Sequence, residues 1–174
     1  MRHVVNGPVL RLILVGLVLL GVQNTICANH PITDVRIQVL LAFTAAAGAA
    51  SSAERGALAG FVLGMMYDLS SGQPLGQTAL AYGFGGLVAG YLTVLKPVPR
   101  WWMIAGFVTL GAAAGEAAIP VVMLITGQQG WLSMRVFRVV GIVTVAALAL
   151  APIFVPIGRW AVAYRSPQWK ALPE

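Results

Sequence analysis

The sequence predicts an all-α integral membrane protein built as a bundle of six transmembrane helices. Of its 174 residues, 59% are hydrophobic and only 9% are charged, whereas about a quarter of the residues of a soluble domain carry charge. The mean hydropathy is +0.85. Because a membrane-spanning helix needs roughly 20 apolar residues, the chain has room for about six spans and little else. We therefore expect a single membrane domain over residues 1–174.

Six apolar stretches define the spans, at about residues 9–28, 35–50, 56–69, 74–95, 101–126 and 134–157. Span one follows Arg2 and contains Arg11 one turn inside, where a long arginine side chain reaches the lipid headgroups. A cleaved signal peptide is the alternative, since the basic start and apolar core precede a weak cleavage motif, Ile26-Cys27-Ala28. We favour a retained helix because that motif meets the small-residue rule only in part. Cys27 is the only cysteine, so no internal disulfide can form, and we assign it to helix packing.

Spans three and four form a glycine-rich pair around which the rest of the chain is organised. Glycine recurs every four residues in span three, and Gly86 and Gly90 in span four have the same spacing. On a helix this spacing places the glycines on one face and lets another backbone approach closely. We predict a helix-packing or partner interface at Gly56, Gly60, Gly64, Gly76, Gly83, Gly86 and Gly90. The alternative is that these glycines only reflect the high glycine content of membrane helices.

A short polar hinge joins the two spans. Residues 70–72, Ser-Ser-Gly, end span three, and Pro74 suits the first turn of span four because its missing N–H would be unpaired there anyway. Asp68 lies just before the hinge. Its carboxylate can accept hydrogen bonds from the free N–H groups that open span four near Leu75 and Gly76.

Spans five and six follow a rigid basic link. That link, Lys96-Pro97-Val98-Pro99-Arg100-Trp101-Trp102, carries two tryptophans, and indoles favour the membrane interface. Span six opens with Arg135 and Arg138 and closes at Pro152 and Pro156.

The distribution of basic residues predicts the orientation of the chain. With the N-terminus inside, the inner segments contain Arg2, Arg11, Arg55, Lys96, Arg100, Arg159, Arg165 and Lys170. The outer segments contain Arg36, Arg135 and Arg138. Because cytoplasmic loops carry the excess of Lys and Arg, both termini are expected to be cytoplasmic. The net charge of +6 does not indicate nucleic acid as a partner, since the basic residues flank apolar runs and form no patch.

Charged residues inside the spans are the only candidates for chemistry. The sequence contains no catalytic constellation, metal-ligand cluster or phosphate loop, and no cofactor is expected. Asp68, Glu116 and Arg138 all fall in the outer half of the bilayer, where a bare charge costs at least ~2.5 kcal/mol. We therefore predict that the three charges pair with one another. A proton or ion relay is the alternative.

The stretch around the hinge resembles a known family. The segment GALAGFVLGMMYDLSSGQPLGQTALAY is similar to the signature of the rod shape-determining protein MreD family, carried by Gly60, Gly64, Asp68, Leu69, Leu75, Gly76 and Tyr82. The match is specific over Gly56 to Tyr91, and beyond it only length and span count agree. The resemblance implies a six-helix bundle similar to the substrate-binding subunits of energy-coupling-factor vitamin transporters.

The resemblance also implies a function and partners. The chain would be a non-enzymatic subunit of the bacterial elongation machinery in the cytoplasmic membrane, where it would bind MreC. Through MreC it would connect MreB filaments inside with RodA and a class B penicillin-binding protein outside. The alternative is a substrate-binding subunit of a small-molecule transporter on the same fold. That subunit should carry a small-xxx-small face on span one, but VLRLILVGLVLLGVQNTICA is rich in bulky aliphatics, so the scaffold is favoured.

Overall fold

Every element of regular structure in the described part of the chain is a helix. The computed structural model describes residues 7–27, 38–72, 74–95, 99–127 and 134–162. Its helices are α1 (Pro8–Val22, continued by a π-helical turn at Gln23–Cys27), α2 (Val39–Ala49), α3 (Ala53–Ser71), α4 (Gln77–Gly90), α5 (Leu92–Leu95), α6 (Trp101–Ile125) and α7 (Met134–Val162). The predicted all-α class is confirmed.

Four stretches of helix are long and apolar enough to cross a membrane, which marks the chain as a membrane protein. They are Pro8–Thr25, Gln77–Leu95, Trp101–Ile125 and Val136–Val162. The other two predicted spans fall short for different reasons. Helix α2 has only 11 residues, against the roughly 20 that a bilayer requires. Helix α3 has 19 residues but carries three charges, Glu54, Arg55 and Asp68.

Helix α3 is longer than the predicted span at both ends. It begins after Ser52, whose hydroxyl accepts a hydrogen bond from the Arg55 N–H at 3.4 Å. At the other end Ser70 and Ser71 are still helical, and their hydroxyls donate to the Tyr67 carbonyl at 3.0 and 2.8 Å. The helix ends one residue later at Gly72, which has a positive φ of 66°.

Three further boundaries differ from the prediction. Pro74 precedes helix α4, which begins at Gln77 after a turn. Helix α7 continues through Pro152 and Pro156 and ends at Val162. A proline removes one helical hydrogen bond but does not end a helix that is held by packing, and membrane helices tolerate it. The first four residues predicted for span two lie before Val39, and residues 35–37 are outside the described ranges.

Helix α2 lies at the centre of the bundle. All of its residues are buried, and it packs against α3, α4, α6 and α7. Its second half is mostly alanine, which allows neighbouring helices to approach closely. Phe43 anchors α7 through an edge-on contact with Phe154, with ring centroids 5.7 Å apart.

The bundle has two distinguishable ends. The Arg11 guanidinium of α1 lies over the Trp160 ring of α7, 5.1 Å from its centroid. The start of α1 and the end of α7 therefore share one end, which we call the terminal end. The opposite end, which we call the hinge end, contains the turn between α3 and α4 and the end of α6, where the Gln77 amide donates to the Thr126 hydroxyl at 2.8 Å.

Candidate functional site: the glycine seam and the hinge-end polar cluster

The backbones of α3 and α4 touch along a line of glycines, which we call the glycine seam: Gly56, Gly60, Gly64, Gly86 and Gly90. A Cβ placed on Gly56 would overlap the Gly86 carbonyl oxygen, and one on Gly60 would overlap the Tyr82 carbonyl oxygen. At Gly64 the added atom would lie 2.5 Å from the Ala79 Cα. Because the obstructing atoms belong to the backbone, no rotamer change can relieve these overlaps.

Two neighbouring helices extend this close packing through glycines that the sequence did not assign to an interface. A Cβ on Gly48 of α2 would overlap the same Gly86 carbonyl oxygen that faces Gly56. On α6, a Cβ on Gly111 would lie 2.6 Å from the Gly85 carbonyl oxygen, and one on Gly115 would lie 3.2 Å from the Ala81 carbonyl oxygen. In the sequence, the four-residue spacing of Gly111 and Gly115 is the pattern that could have predicted the contact of α6 with α4.

Two of the predicted interface glycines have different surroundings. A Cβ on Gly83 would overlap nothing, although it would lie tightly against the Ala57 carbonyl oxygen at 3.3 Å, and Gly83 is only half-buried. Gly76 has a φ of 96°, and an added Cβ would meet nothing within 4 Å. Gly76 therefore allows the backbone to turn into α4, which a side chain would strain.

Asp68 caps helix α4 from the neighbouring helix. Its side chain is only 1% exposed. Its Oδ2 accepts from the Gly76 N–H at 2.9 Å and from the Ala79 N–H at 3.4 Å, and the Thr78 N–H lies 3.2 Å from both carboxylate oxygens. The first residues of α4 have no cap of their own, so the carboxylate satisfies free N–H groups and its charge faces the positive end of the helix dipole. The sequence had placed these bonds near Leu75 and Gly76.

Buried polar side chains surround Tyr82 in the hinge-end half of the bundle. The Tyr82 hydroxyl donates to Gln38 Oε1 at 2.8 Å, and its ring stacks on Tyr67 with centroids 6.2 Å apart. Gln23 Oε1 accepts from the Leu40 N–H at 3.0 Å, at the start of α2. The name hinge-end polar cluster is used below for seven residues: Gln23, Gln38, Tyr67, Asp68, Gln77, Tyr82 and Glu116.

Two acceptor atoms of this cluster lack a hydrogen-bond partner in the described part of the chain. They are Gln77 Oε1 and Glu116 Oε2, on side chains that are 5% and 6% exposed. Glu116 follows Gly115, which packs against Ala81, so its carboxylate belongs to the layer that contains Tyr82. A buried acceptor without a donor carries an uncompensated desolvation cost. Both atoms can accept a hydrogen bond from a ligand that bears N–H or O–H groups.

The predicted mutual pairing of Asp68, Glu116 and Arg138 is not what the structure contains. Asp68 is engaged by backbone N–H groups, and Arg138 is exposed on the opening turns of α7. Within the described residues, neither carboxylate has a basic side chain within 4.0 Å. The side chain of Arg135 lies outside the described residues. The backbone N–H groups of α4 lie within hydrogen-bonding distance of the Asp68 carboxylate, whereas Arg138 is exposed on the surface of the bundle. The carboxylate is therefore stabilised by backbone N–H groups and not by an arginine.

The fold and the site together define a membrane protein that is all-helical in its described residues and in which α3 and α4 meet along a close-packed glycine seam. Over the described ranges, no group of three or more His, Cys, Asp and Glu side chains is placed to hold a metal ion. No protein family, curated protein or solved structure matches the chain.

Proposed function

We propose that the protein is a membrane scaffold subunit of the bacterial cell elongation complex that binds MreC. The single observation that supports this proposal most is that the two helices of the MreD-like stretch pack closely as one unit. Gly60 and Gly64 bring α3 and α4 into backbone contact, and Asp68 fixes the turn between them. A carboxylate whose two oxygens both accept backbone hydrogen bonds suits a structural role better than a transport step.

The proposed topology has six membrane crossings, both termini in the cytoplasm, and a bundle like that of energy-coupling-factor substrate-binding subunits. Helix α2 is too short to span a bilayer alone, but it is buried by protein on all sides, so its ends need not meet lipid. Helix α3 carries Glu54 and Arg55 in its first turn at the terminal end, where charged side chains reach water. Asp68, its only other charge, is satisfied by hydrogen bonds.

Binding of MreC would connect this scaffold indirectly to MreB in the cytoplasm, and to RodA and a class B penicillin-binding protein outside. The protein would contribute no catalysis and hold no cofactor. Its lipid-facing surface carries many exposed large hydrophobic side chains, which can contact either lipid or the transmembrane helix of a partner.

One observation favours a second function, a substrate-binding subunit of a small-molecule transporter. In the described part of the chain, Gln77 Oε1 and Glu116 Oε2 are buried acceptors without a donor, and a polar ligand could supply one. A ligand with N–H or O–H groups would donate hydrogen bonds to these two oxygens. We rank this function second because the other hydrogen-bonding groups of the hinge-end polar cluster, such as Asp68 and Tyr82, are already engaged.

Paired variants separate the two functions. In a rod-shaped bacterium without its native MreD, the wild-type chain should restore the rod shape and co-purify with MreC. Asp68→Leu should lose both properties because the turn loosens, whereas Glu116→Gln should keep both. A transport subunit would show the reverse sensitivity, with Glu116→Gln abolishing ligand uptake. Failure of the wild-type chain both to rescue shape and to capture MreC would reject the scaffold.

A further inference from the structure

A cleft opens between α6 and α7 at the terminal end of the bundle, far from the hinge-end polar cluster. Its volume is about 560 Å³, within the range of about 300 to 1,000 Å³ that is typical of ligand sites. The walls are apolar, with Ile104 and Ala105 on α6 facing Leu148 and Val155 on α7. Lining residues such as Pro152 and Pro156 are exposed, so the cleft is open at the surface of the bundle.

Two prolines make one wall of this cleft. Pro152 and Pro156 are four residues apart, so they lie one above the other on the same face of α7, and both line the cleft. Their rings cannot change rotamer as a leucine can, and they present a fixed apolar surface. Ala149 completes this wall with a small side chain that leaves the space open. An unbranched apolar chain can lie in a space with these apolar walls.

The mouth of the cleft is polar and positively charged. Arg159 and Trp101 line it at the terminal end. The Arg159 side chain is exposed and has no acid within 4.0 Å among the described residues. Trp101 is 80% exposed, as expected of an indole at the membrane interface. Arg11, stacked on Trp160, adds a second positive charge at the same end.

The described acids do not neutralise this charge. Asp68 and Glu116 lie in the hinge-end half of the bundle. Glu54 is at the terminal end, in the first turn of α3, but it does not line the cleft and is not within 4.0 Å of the Arg159 guanidinium. A net positive mouth above an apolar cleft is complementary to a molecule with an anionic head and an apolar tail. Basic pockets between transmembrane helices hold anionic lipid headgroups in this way.

We propose that the cleft between α6 and α7 binds one anionic glycerophospholipid. An acyl chain lies between Ile104 and the proline wall, the phosphate accepts hydrogen bonds from the Arg159 guanidinium, and the Trp101 indole lies at headgroup level. A planar guanidinium with several N–H donors suits a phosphate better than a point charge does. A zwitterionic lipid binds less well because its ammonium group carries the same sign of charge as the Arg159 guanidinium at the mouth.

The test measures the lipid that remains bound to the intact chain. The protein is reconstituted into vesicles of equal phosphatidylglycerol and phosphatidylethanolamine, extracted in a mild detergent, and examined by native mass spectrometry. The wild-type chain should retain one phosphatidylglycerol in preference to phosphatidylethanolamine. Arg159→Gln should reduce that occupancy about fivefold, the effect of one basic residue at a membrane surface, while Arg159→Lys should keep more than half of it.

Two further variants keep the proposal open to refutation. Arg138→Gln removes an exposed arginine from the other end of the same helix and should leave the occupancy unchanged. Ala149→Trp fills the cleft and should abolish retention of the lipid while Arg159 is intact. Equal losses in Arg138→Gln and Arg159→Gln would show general charge attraction and overturn the site. So would equal retention of the two lipids, or full retention in Ala149→Trp.

Discussion

Adding one methyl group to the glycine seam should weaken the bundle by a predictable amount. The variant is Gly60→Ala, and its matched control is Gly141→Ala in α7, where an added Cβ would meet nothing within 4 Å. Each change stabilises its helix by about 1 kcal/mol, because alanine has a higher helix propensity than glycine. At Gly60 the new Cβ would lie 2.6 Å from the Tyr82 carbonyl carbon and 2.7 Å from Thr44 Cγ2. Overpacking of this kind costs about 1 to 3 kcal/mol.

The free energy of unfolding of Gly60→Ala should therefore be about 0 to 2 kcal/mol lower than that of wild type. It should be about 1 to 3 kcal/mol lower than that of Gly141→Ala. For a chain of this size each kcal/mol shifts the melting temperature by about 2 to 4 °C. The two variants should therefore differ by about 2 to 12 °C when thermal unfolding is followed in one detergent. If Gly60→Ala melts at or above the temperature of Gly141→Ala, the seam is not a contact between backbones.

Three other predictions test the hinge, the buried glutamate and the topology. Asp68→Leu leaves the N–H groups of α4 without acceptors and should cost about 3 kcal/mol or more in unfolding free energy, whereas Asp68→Asn keeps one oxygen and should cost about 1; equal losses in thermal unfolding would contradict the capping role. Glu116→Gln should leave the melting temperature unchanged or raise it, because Oε2 has no partner to lose; a drop as large as that of Asp68→Leu would mean that the carboxylate is bonded. Reporters fused after Glu174 or within residues 96–100 should read cytoplasmic and one within residues 127–131 external, and an external C-terminus would reject six crossings.

The cap on α4 shows how far local sequence can predict a site. Asp68 and Gly76 are only eight residues apart, on either side of the hinge. The turn itself therefore brings the carboxylate to the free N–H groups of α4. The all-helical membrane class is determined in the same local way, since long apolar runs leave a backbone in lipid only helical hydrogen bonds. The four-residue glycine spacing likewise identifies the face of α3 that a backbone can approach.

Only the tertiary structure decides which faces meet. Periodicity shows that a helix has a glycine face, but the crossing and rotation of each helix determine that Gly48, Gly56 and Gly86 meet at one point, and that Arg138 is exposed while Asp68 is buried. The bond from Tyr82 to Gln38 joins residues 44 positions apart, and no local pattern marks it. Helix α2 looks like a short span in the sequence, and its complete burial follows from the four helices around it. The physical reason is that hydrogen bonds within a helix fix its local geometry, whereas packing between helices depends on contacts that the linear pattern does not encode.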